Sequence, residues 1–316
     1  MTPPLPDGRG SVLTQNRERE RADWRPPVLR LRRSEWTLVV YFVYVTVMAH
    51  VLPVKPAVPA VTLWLNLAII AGSLFLAYAD SLRRRLLLDV LRDWYPTALL
   101  LLAYSEIGWL APAGHSYSLE RTWVVWDKFF LNGLGVKALI ESAGPVLPAL
   151  LEISYTLVYS MPFIGLAVLY AYRRRERADR LLFPLVLSVL SAYVLFPYFP
   201  SEPPRTVFPG EDFPSYVSIF RRFNWAMLGS YGIHTSVFPS AHVSGSFAVA
   251  LTLRRVLPER KWPGRLLLVL ASLIATATVY GRYHYLADAA AGMAIALAVC
   301  GLTGLTKRTT QPDAST

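Results

Sequence analysis

The sequence predicts an all-α, polytopic transmembrane helix bundle of about eight spans, within a range of six to eight. Three observations predict this fold class. Of the 316 residues, 54% are hydrophobic and only 17% are charged, long apolar runs recur, and the basic residues are unevenly divided between the segments that separate the runs. The apolar content excludes general disorder, and the single cysteine excludes a disulfide scaffold.

Eight apolar runs approach the length of about 20 residues that a helix needs to cross the hydrocarbon of a bilayer. Charged, Pro-rich or Gly-rich segments separate them. The predicted spans are 36–52, 61–78, 95–110, 146–170, 181–198, 241–256, 266–280 and 285–305. Some of these runs are short, so six or seven spans remain an alternative.

The chain has a net charge of +11, and the distribution of its basic residues distinguishes the two sides of the bundle. If the spans alternate and the N-terminus is cytoplasmic, 24 of the 32 Lys and Arg residues fall on the cytoplasmic side, as the positive-inside rule requires. The basic clusters are therefore expected to contact anionic headgroups and not nucleic acid. Because 27 Arg against 5 Lys is typical of GC-rich bacterial coding, we expect a bacterial cytoplasmic membrane.

Four segments follow from these spans. A basic cytoplasmic tail covers 1–35, N-terminal transmembrane helices with an outer amphipathic segment cover 36–145, a second transmembrane bundle covers 146–305, and a cytoplasmic tail covers 306–316. Both tails are polar and expected to be poorly ordered. The aromatic, amphipathic stretches at 123–140 and 216–228 are expected to lie flat in the outer interface.

The first candidate site residues stand at the start of the sixth span. Pro239 and Ser240 directly precede this apolar run, a pattern that predicts a helix start with Ser240 as N-cap. The free backbone N–H groups and the positive end of the helix dipole make an anion site there. His242, in the first turn, is expected to lie beside that anion.

A second candidate pair opens the last span. His284 and Asp288 are four residues apart, so on a helix the carboxylate can accept a hydrogen bond from the imidazole. That bond fixes the tautomer and makes the other ring nitrogen a better nucleophile or base. A purely structural His–Asp pair is an equally open interpretation.

A third element, Pro203-Pro204-Arg205, follows the fifth span. The prolines stiffen the loop, and the Arg205 guanidinium suits phosphate oxygens; a surface arginine in a proline-rich turn is the alternative. Alternating topology places all three elements on the outer face. Together with Arg282, they predict a metal-free and cofactor-free phosphoryl-transfer site, which makes 146–305 the catalytic bundle.

Further candidates are less specific. His234 either lines the site or stabilises its loop, and Tyr283 either lines it or has an interfacial aromatic role. Glu202 is expected to pair with Arg205, the alternative being contact with a polyol head group. Two carboxylates near the outer ends of spans are either functional or reach out to the interface: Glu106 and Glu152.

Two of these motifs resemble those of the type-2 phosphatidic acid phosphatase superfamily. The run Pro239-Ser240-Ala241-His242 resembles its Pro-Ser-Gly-His motif, and His284-x-x-x-Asp288 resembles its third motif. The Pro-Pro-Arg element resembles sequences of one branch of this superfamily, the inositol phosphorylceramide synthases and related sphingolipid synthases. The chain lacks the superfamily's Lys-x6-Arg-Pro motif, and Thr278 stands where the third motif has Arg.

The resemblance implies a membrane lipid phosphatase or phosphotransferase that acts through a phosphohistidine on a phospholipid or polyprenyl-type phosphoester. His284 would attack phosphorus, Asp288 would orient it, and His242 would protonate the leaving alkoxide and then activate the acceptor. The phosphoryl oxygens would be bound by Arg205, Arg282 and Ser240. The expected partners are the lipid phosphoester and the bilayer. The acceptor, water or a lipid or inositol hydroxyl, and the oligomeric state stay open.

A non-enzymatic lipid transporter or flippase is the main alternative, and a structural membrane protein is a weaker one. Transporters commonly show internal repeats and mid-membrane binding sites. This sequence has no evident repeat, and its polar motifs are expected at one face. The sequence therefore favours an enzyme.

Overall fold

The computed structural model of the chain describes residues 29–82, 86–112, 114–235 and 237–305. The predictions for the tails, 1–35 and 306–316, lie outside the described residues except at 29–35. The basic residues at 83–85 lie outside them as well.

The regular secondary structure of the described residues is helical, without a β-strand in the parts named above. In chain order the helices are α1 (Arg33–Val51), α2 (Val58–Leu82), α3 (Leu86–Leu110), α4 (Ser118–Lys128), α5 (Val136–Ser142), α6 (Val146–Thr156), α7 (Met161–Ala171), α8 (Ala178–Leu195), α9 (Pro204–Val207), α10 (Ile219–Tyr231), α11 (Ala241–Val256), α12 (Trp262–Tyr280) and α13 (Leu286–Leu305). Each of the eight predicted spans is occupied by helix, so the all-α prediction is confirmed.

Six helical segments of the described chain are long and apolar enough to cross a membrane: α1, α2, α6 with α7, α8, α12 and α13. α2 exposes large apolar side chains, such as Trp64 (69%) and Phe75 (71%), as a helix that faces hydrocarbon does. The remaining two spans are α3, which carries several charged residues, and α11, which has only 16 residues. The predicted range of six to eight spans is confirmed.

The fourth span is not one continuous α-helix. A 3₁₀ turn at Leu157–Ser160 separates α6 from α7. Pro162 stands at the start of α7, where its missing N–H and its ring interrupt the hydrogen-bond ladder of the preceding turn. The break lies beside the candidate residues, because Tyr155 and Tyr159 at this turn contact the ring of His242.

α11 is the central helix of the bundle, packed against α8, α12 and α13. Small residues allow this close approach: a Cβ at Gly245 would stand 2.9 Å from Val189, and one at Gly165 would stand 2.8 Å from Val249. Most α11 side chains are buried by protein. A helix enclosed by other helices does not need a lipid-facing apolar surface, which accounts for its modest length and hydrophobicity.

The two ends of the bundle differ in their polar contacts. Arg92 lies at the end of the bundle where α1 and α3 begin. Its guanidinium pairs with Glu35 (2.5 Å) and Asp80 (2.7 Å), and its side chain is only 6% exposed. The expectation that the basic residues here contact headgroups is therefore wrong for Arg92, because the buried Glu35 and the partly buried Asp80 bind it. We call the opposite end, where α4, α5, α9 and α10 lie, the site end.

The amphipathic stretches predicted at 123–140 and 216–228 form α4, α5 and α10, with a π-helical turn at Phe129–Gly133. α4 buries Trp123 and Asp127 against the bundle and exposes Trp126. These helices cover the site end, so their buried polar residues contact the loops that carry the candidate motifs.

Candidate active site

The two histidines of the predicted motifs meet at the site end. His242 lies in the first turn of α11 and His284 in the loop before α13, and their ring centroids are 5.7 Å apart with nearly perpendicular planes. The Ser240 hydroxyl accepts a hydrogen bond from the N–H of Val243 (3.4 Å), so the predicted N-cap is confirmed. The peptide bond between Phe238 and Pro239 is cis.

Close backbone packing holds the two motifs together. The N–H of Ser240 donates to the carbonyl of Asp288 (3.0 Å). Gly292, one turn further along α13, faces the same backbone, because a Cβ there would stand 2.3 Å from the Ser240 carbonyl oxygen. The start of α11 and the start of α13 are thus in direct contact, and only glycine fits at this point.

The predicted His284–Asp288 contact is present. Nδ1 of His284 lies 3.2 Å from Oδ2 of Asp288, and the same oxygen accepts the N–H of Tyr285 at 2.9 Å. Burial, and secondly the positive charge of Arg205, lower the pKa of His284 to about 3, against a smaller opposite effect of the Val237 carbonyl. The imidazole is therefore neutral near pH 7, and the nitrogen remote from Asp288 retains its lone pair.

Arg205 reaches this loop from α9. Its backbone N–H donates to the Arg282 carbonyl (3.2 Å), its Nη1 lies 3.4 Å from the Tyr283 carbonyl oxygen, and its guanidinium lies 5.8 Å from the centre of the Tyr283 ring. Burial lowers the pKa of this guanidinium. The structure thus brings the third element beside the two histidines.

Arg282 is more deeply buried than its prediction as a phosphate ligand implies. Both its side chain and that of Asp127 are 0% exposed, and its Nη1 lies 2.5 Å from Oδ2 of Asp127. The other oxygen of Asp127 accepts the N–H of Leu286 at 2.8 Å. Among the described residues, Nε and Nη2 of Arg282 have no partner, so these two donors are the ones available to a phosphoryl oxygen.

Comparison with known proteins agrees with this arrangement. A family model described as the PAP2 superfamily matches residues 129–302, more than half of the chain. The chain belongs to the PAP2 superfamily. It is also 25% identical over 219 residues to a PA-phosphatase related-family protein of Dictyostelium discoideum, and this match covers 60% of the chain but 36% of the relative. No solved structure matches.

The match to the PAP2 superfamily contains all three predicted elements. The membership that the motifs predicted is confirmed, and the membrane-spanning architecture agrees with it. The closer assignment to the inositol phosphorylceramide synthase branch stays a prediction.

A buried network behind the loop that carries His284 was not predicted from the sequence. The Glu152 carboxylate, 3% exposed, accepts hydrogen bonds from Arg221 Nη1 (2.7 Å), Asn224 Nδ2 (2.9 Å) and the Tyr283 hydroxyl (2.6 Å). The Tyr283 ring stacks on that of Tyr155 with centroids 4.1 Å apart. The alternative that Glu152 reaches out to the interface is therefore wrong, because its carboxylate is enclosed by α10 and the loop before His284.

Two tyrosines at the break in the fourth span contact His242. The rings of Tyr155 and Tyr159 present edge contacts to the imidazole, with centroids 5.6 and 5.4 Å away. Their spacing of four residues in an apolar span was the available sequence signal, since it puts both rings on one face of a helix. They confine the movement of His242.

The less specific candidates have different surroundings. His234 is exposed and lines a cavity together with Arg205. Glu202 accepts a hydrogen bond from the Tyr117 hydroxyl at 2.9 Å. Within the described residues no ion pair joins it to Arg205, so the expected pairing is wrong; Arg205 instead contacts the Tyr283 carbonyl. Glu106 is fully buried, and its carboxylate faces the side chain of Asn66.

The assembled groups suit group transfer to and from phosphorus. A neutral imidazole with an oriented tautomer is a nucleophile, a second imidazole 5.7 Å away is an acid and base, and a fixed guanidinium stabilises negative charge. The described residues contain no group of three or more His, Cys, Asp or Glu arranged to hold a metal ion.

Proposed function

We propose that the chain is a lipid phosphatase or phosphotransferase whose reaction passes through a phosphohistidine at His284. The observation that carries the proposal is the grouping of His284, its partner Asp288, His242 and Arg205 at one end of the bundle. Membership of the PAP2 superfamily supports a phosphatase-type enzyme.

The first step forms a bond between Nε2 of His284 and phosphorus, and the ester bond from phosphorus to the lipid oxygen breaks. In the reactive protonation state His242 carries a proton, which it gives to the leaving alkoxide. Asp288 stabilises the positive charge that develops on the His284 ring, because its carboxylate lies at Nδ1. Arg205 neutralises charge on the phosphoryl oxygens, to which the free donors of Arg282 and the Ser240 hydroxyl are further candidate ligands.

The second step reverses these roles. His242 takes a proton from the acceptor hydroxyl, the acceptor oxygen bonds to phosphorus, and the bond from phosphorus to His284 breaks. A water acceptor makes the enzyme a hydrolase, and a lipid or inositol hydroxyl makes it a transferase. The Pro-Pro-Arg element favours a phospholipid donor of the inositol phosphorylceramide synthase type.

The proposed location of the site is the outer face of a bacterial cytoplasmic membrane. Among the described residues, Arg32, Arg92, Arg175 and Arg177 pair with carboxylates at the opposite end of the bundle, and the positive-inside rule supports a cytoplasmic location for that end. Thr206 is exposed, so a Thr206→Cys variant treated with an impermeant thiol reagent on intact cells tests this orientation. Protection from an impermeant thiol reagent there would contradict it.

The activity is tested by incubating the purified protein with phosphatidic acid, and with headgroup-labelled phosphatidylinositol plus ceramide. Label in water-soluble phosphate indicates hydrolysis, and label in a new lipid indicates transfer. His284→Ala and His242→Ala are each expected to lower the rate at least about 100-fold. His50→Ala is the matched control, since this exposed histidine of α1 hydrogen-bonds the Thr46 carbonyl one turn away. Unchanged activity of His284→Ala would refute the mechanism.

A lipid transporter or flippase is the second candidate class. The convergence of the polar residues at one end of the bundle, and not at its middle, favours the enzyme. Lipid movement across vesicles that survives His284→Ala, without any phosphate release by the unaltered protein, would favour the transporter.

A further inference from the structure

A cavity of about 310 Å³ opens beside Arg205 at the site end. α10 forms one wall and α9 another. Its lining has aromatic, apolar and polar parts, contributed by Pro203, Arg205, Thr206, Phe213, Trp225, Leu228, Gly229, Gly232, Ile233 and His234. Its volume lies at the lower end of the range of small-molecule sites.

The charge that the described lining of this cavity presents is positive. Arg205 lines it directly, and no carboxylate occurs among the described residues that line it. The guanidinium of Arg221 lies 4.7 Å from the centre of the Trp225 ring and 5.7 Å from that of Phe213. Arg221 is itself fixed there, because it is 1% exposed and bound to Glu152.

The position of Arg221 restricts which ligand groups the Trp225 and Phe213 rings can bind. Trp and Phe rings often bind quaternary ammonium groups through their faces. Here Arg221 already lies over the two rings, and a cation in the cavity would also meet Arg205 at close range. The remaining polar groups of the lining, the Thr206 hydroxyl and the His234 imidazole, suit hydroxyl groups.

We propose that this cavity holds the head group of the phosphoester and admits uncharged, hydroxyl-bearing head groups while it excludes cationic ones. The inference rests on the proposed function, because it takes Arg205 as a ligand of the transferred phosphate and the cavity as the continuation of that site. Thr206 and Arg221 are then specificity-determining residues, and neither takes part in the chemical steps.

The test measures binding by calorimetry to the purified full-length protein in micelles, so that it does not depend on turnover. The probes are glycerol 3-phosphate, phosphocholine and 3,3-dimethylbutyl phosphate, which has the shape of phosphocholine without its positive charge. Glycerol 3-phosphate and dimethylbutyl phosphate are each expected to bind about tenfold or more tightly than phosphocholine. Phosphocholine binding as tightly as its uncharged match would overturn the proposal.

Thr206→Glu puts a carboxylate into the cavity, and Thr206→Gln is its uncharged match. The first variant is expected to reduce the preference against phosphocholine at least about tenfold, and the second to leave it unchanged. Equal preferences in the two variants would also overturn the proposal. Hydrolysis of phosphatidic acid by the unaltered protein is measured separately: its absence counts against the proposed function, whereas the binding preferences decide the inference.

Discussion

The ion pair between Asp127 and Arg282 joins α4 to the loop that carries His284, and its removal should loosen that loop. Both side chains are 0% exposed, with Nη1 and Oδ2 2.5 Å apart. Asp127→Asn preserves the shape of the side chain but leaves the guanidinium buried without its counter-charge. Such a loss costs about 3–5 kcal/mol, and Arg282→Met should cost a similar amount because it leaves the carboxylate unpaired.

The double variant carries neither charge, so its cost should be smaller than the sum of the two. We expect a coupling energy of about 2 kcal/mol between the positions. The assay is denaturant titration in mixed micelles, followed by tryptophan fluorescence, for the four proteins of the cycle. Arg222→Met is the control: Arg222 is exposed, and its loss should change stability by no more than about 0.5 kcal/mol. Additive effects of the two substitutions would refute the role assigned to the pair.

Two further predictions concern the catalytic groups and their packing. Besides burial, the charge of Arg205 lowers the pKa of His284. Arg205→Gln should therefore raise that pKa and move the acid limb of the kcat/KM profile to higher pH, whereas Arg205→Lys keeps the charge and should leave the limb in place. Coincident pH profiles of the two variants would contradict this. Gly292→Ala should lower the free energy of unfolding by about 1–3 kcal/mol, because its Cβ would stand 2.3 Å from the Ser240 carbonyl oxygen. Gly301→Ala in the same helix is the control, because its added Cβ would have no atom within 4 Å and should not be destabilising. Equal stability of the two alanine variants would show that α13 can shift away from Ser240.

The features that the sequence predicted are those set by local spacing. The thickness of the bilayer fixes the length of a span, so apolar runs locate the helices. The N-cap at Ser240 and the contact between His284 and Asp288 involve residues no more than four positions apart. The cap follows from the geometry of a helix start. The contact with Asp288 forms within four residues although His284 lies in the loop before α13, and not on the helix that the sequence predicted.

The features that escaped prediction depend on contacts across the fold. Asp127 and Arg282 are 155 positions apart, and Arg221 and Glu152 are 69 apart. Each pair joins an amphipathic helix of the site end to the bundle, and the amphipathic pattern does not specify which charged residue turns inward. The expected pairing of Glu202 with Arg205 failed for the same reason, since Tyr117, 85 positions away, binds the carboxylate instead.

The central claim is that phosphate is carried on His284 during turnover, and rapid quenching with a ³²P-labelled lipid phosphoester tests it most directly. The account predicts a base-stable, acid-labile label on the peptide that contains His284, present in the unaltered protein and absent from His284→Gln. Label on another residue, or turnover by His284→Gln at the rate of the unaltered protein, would contradict it.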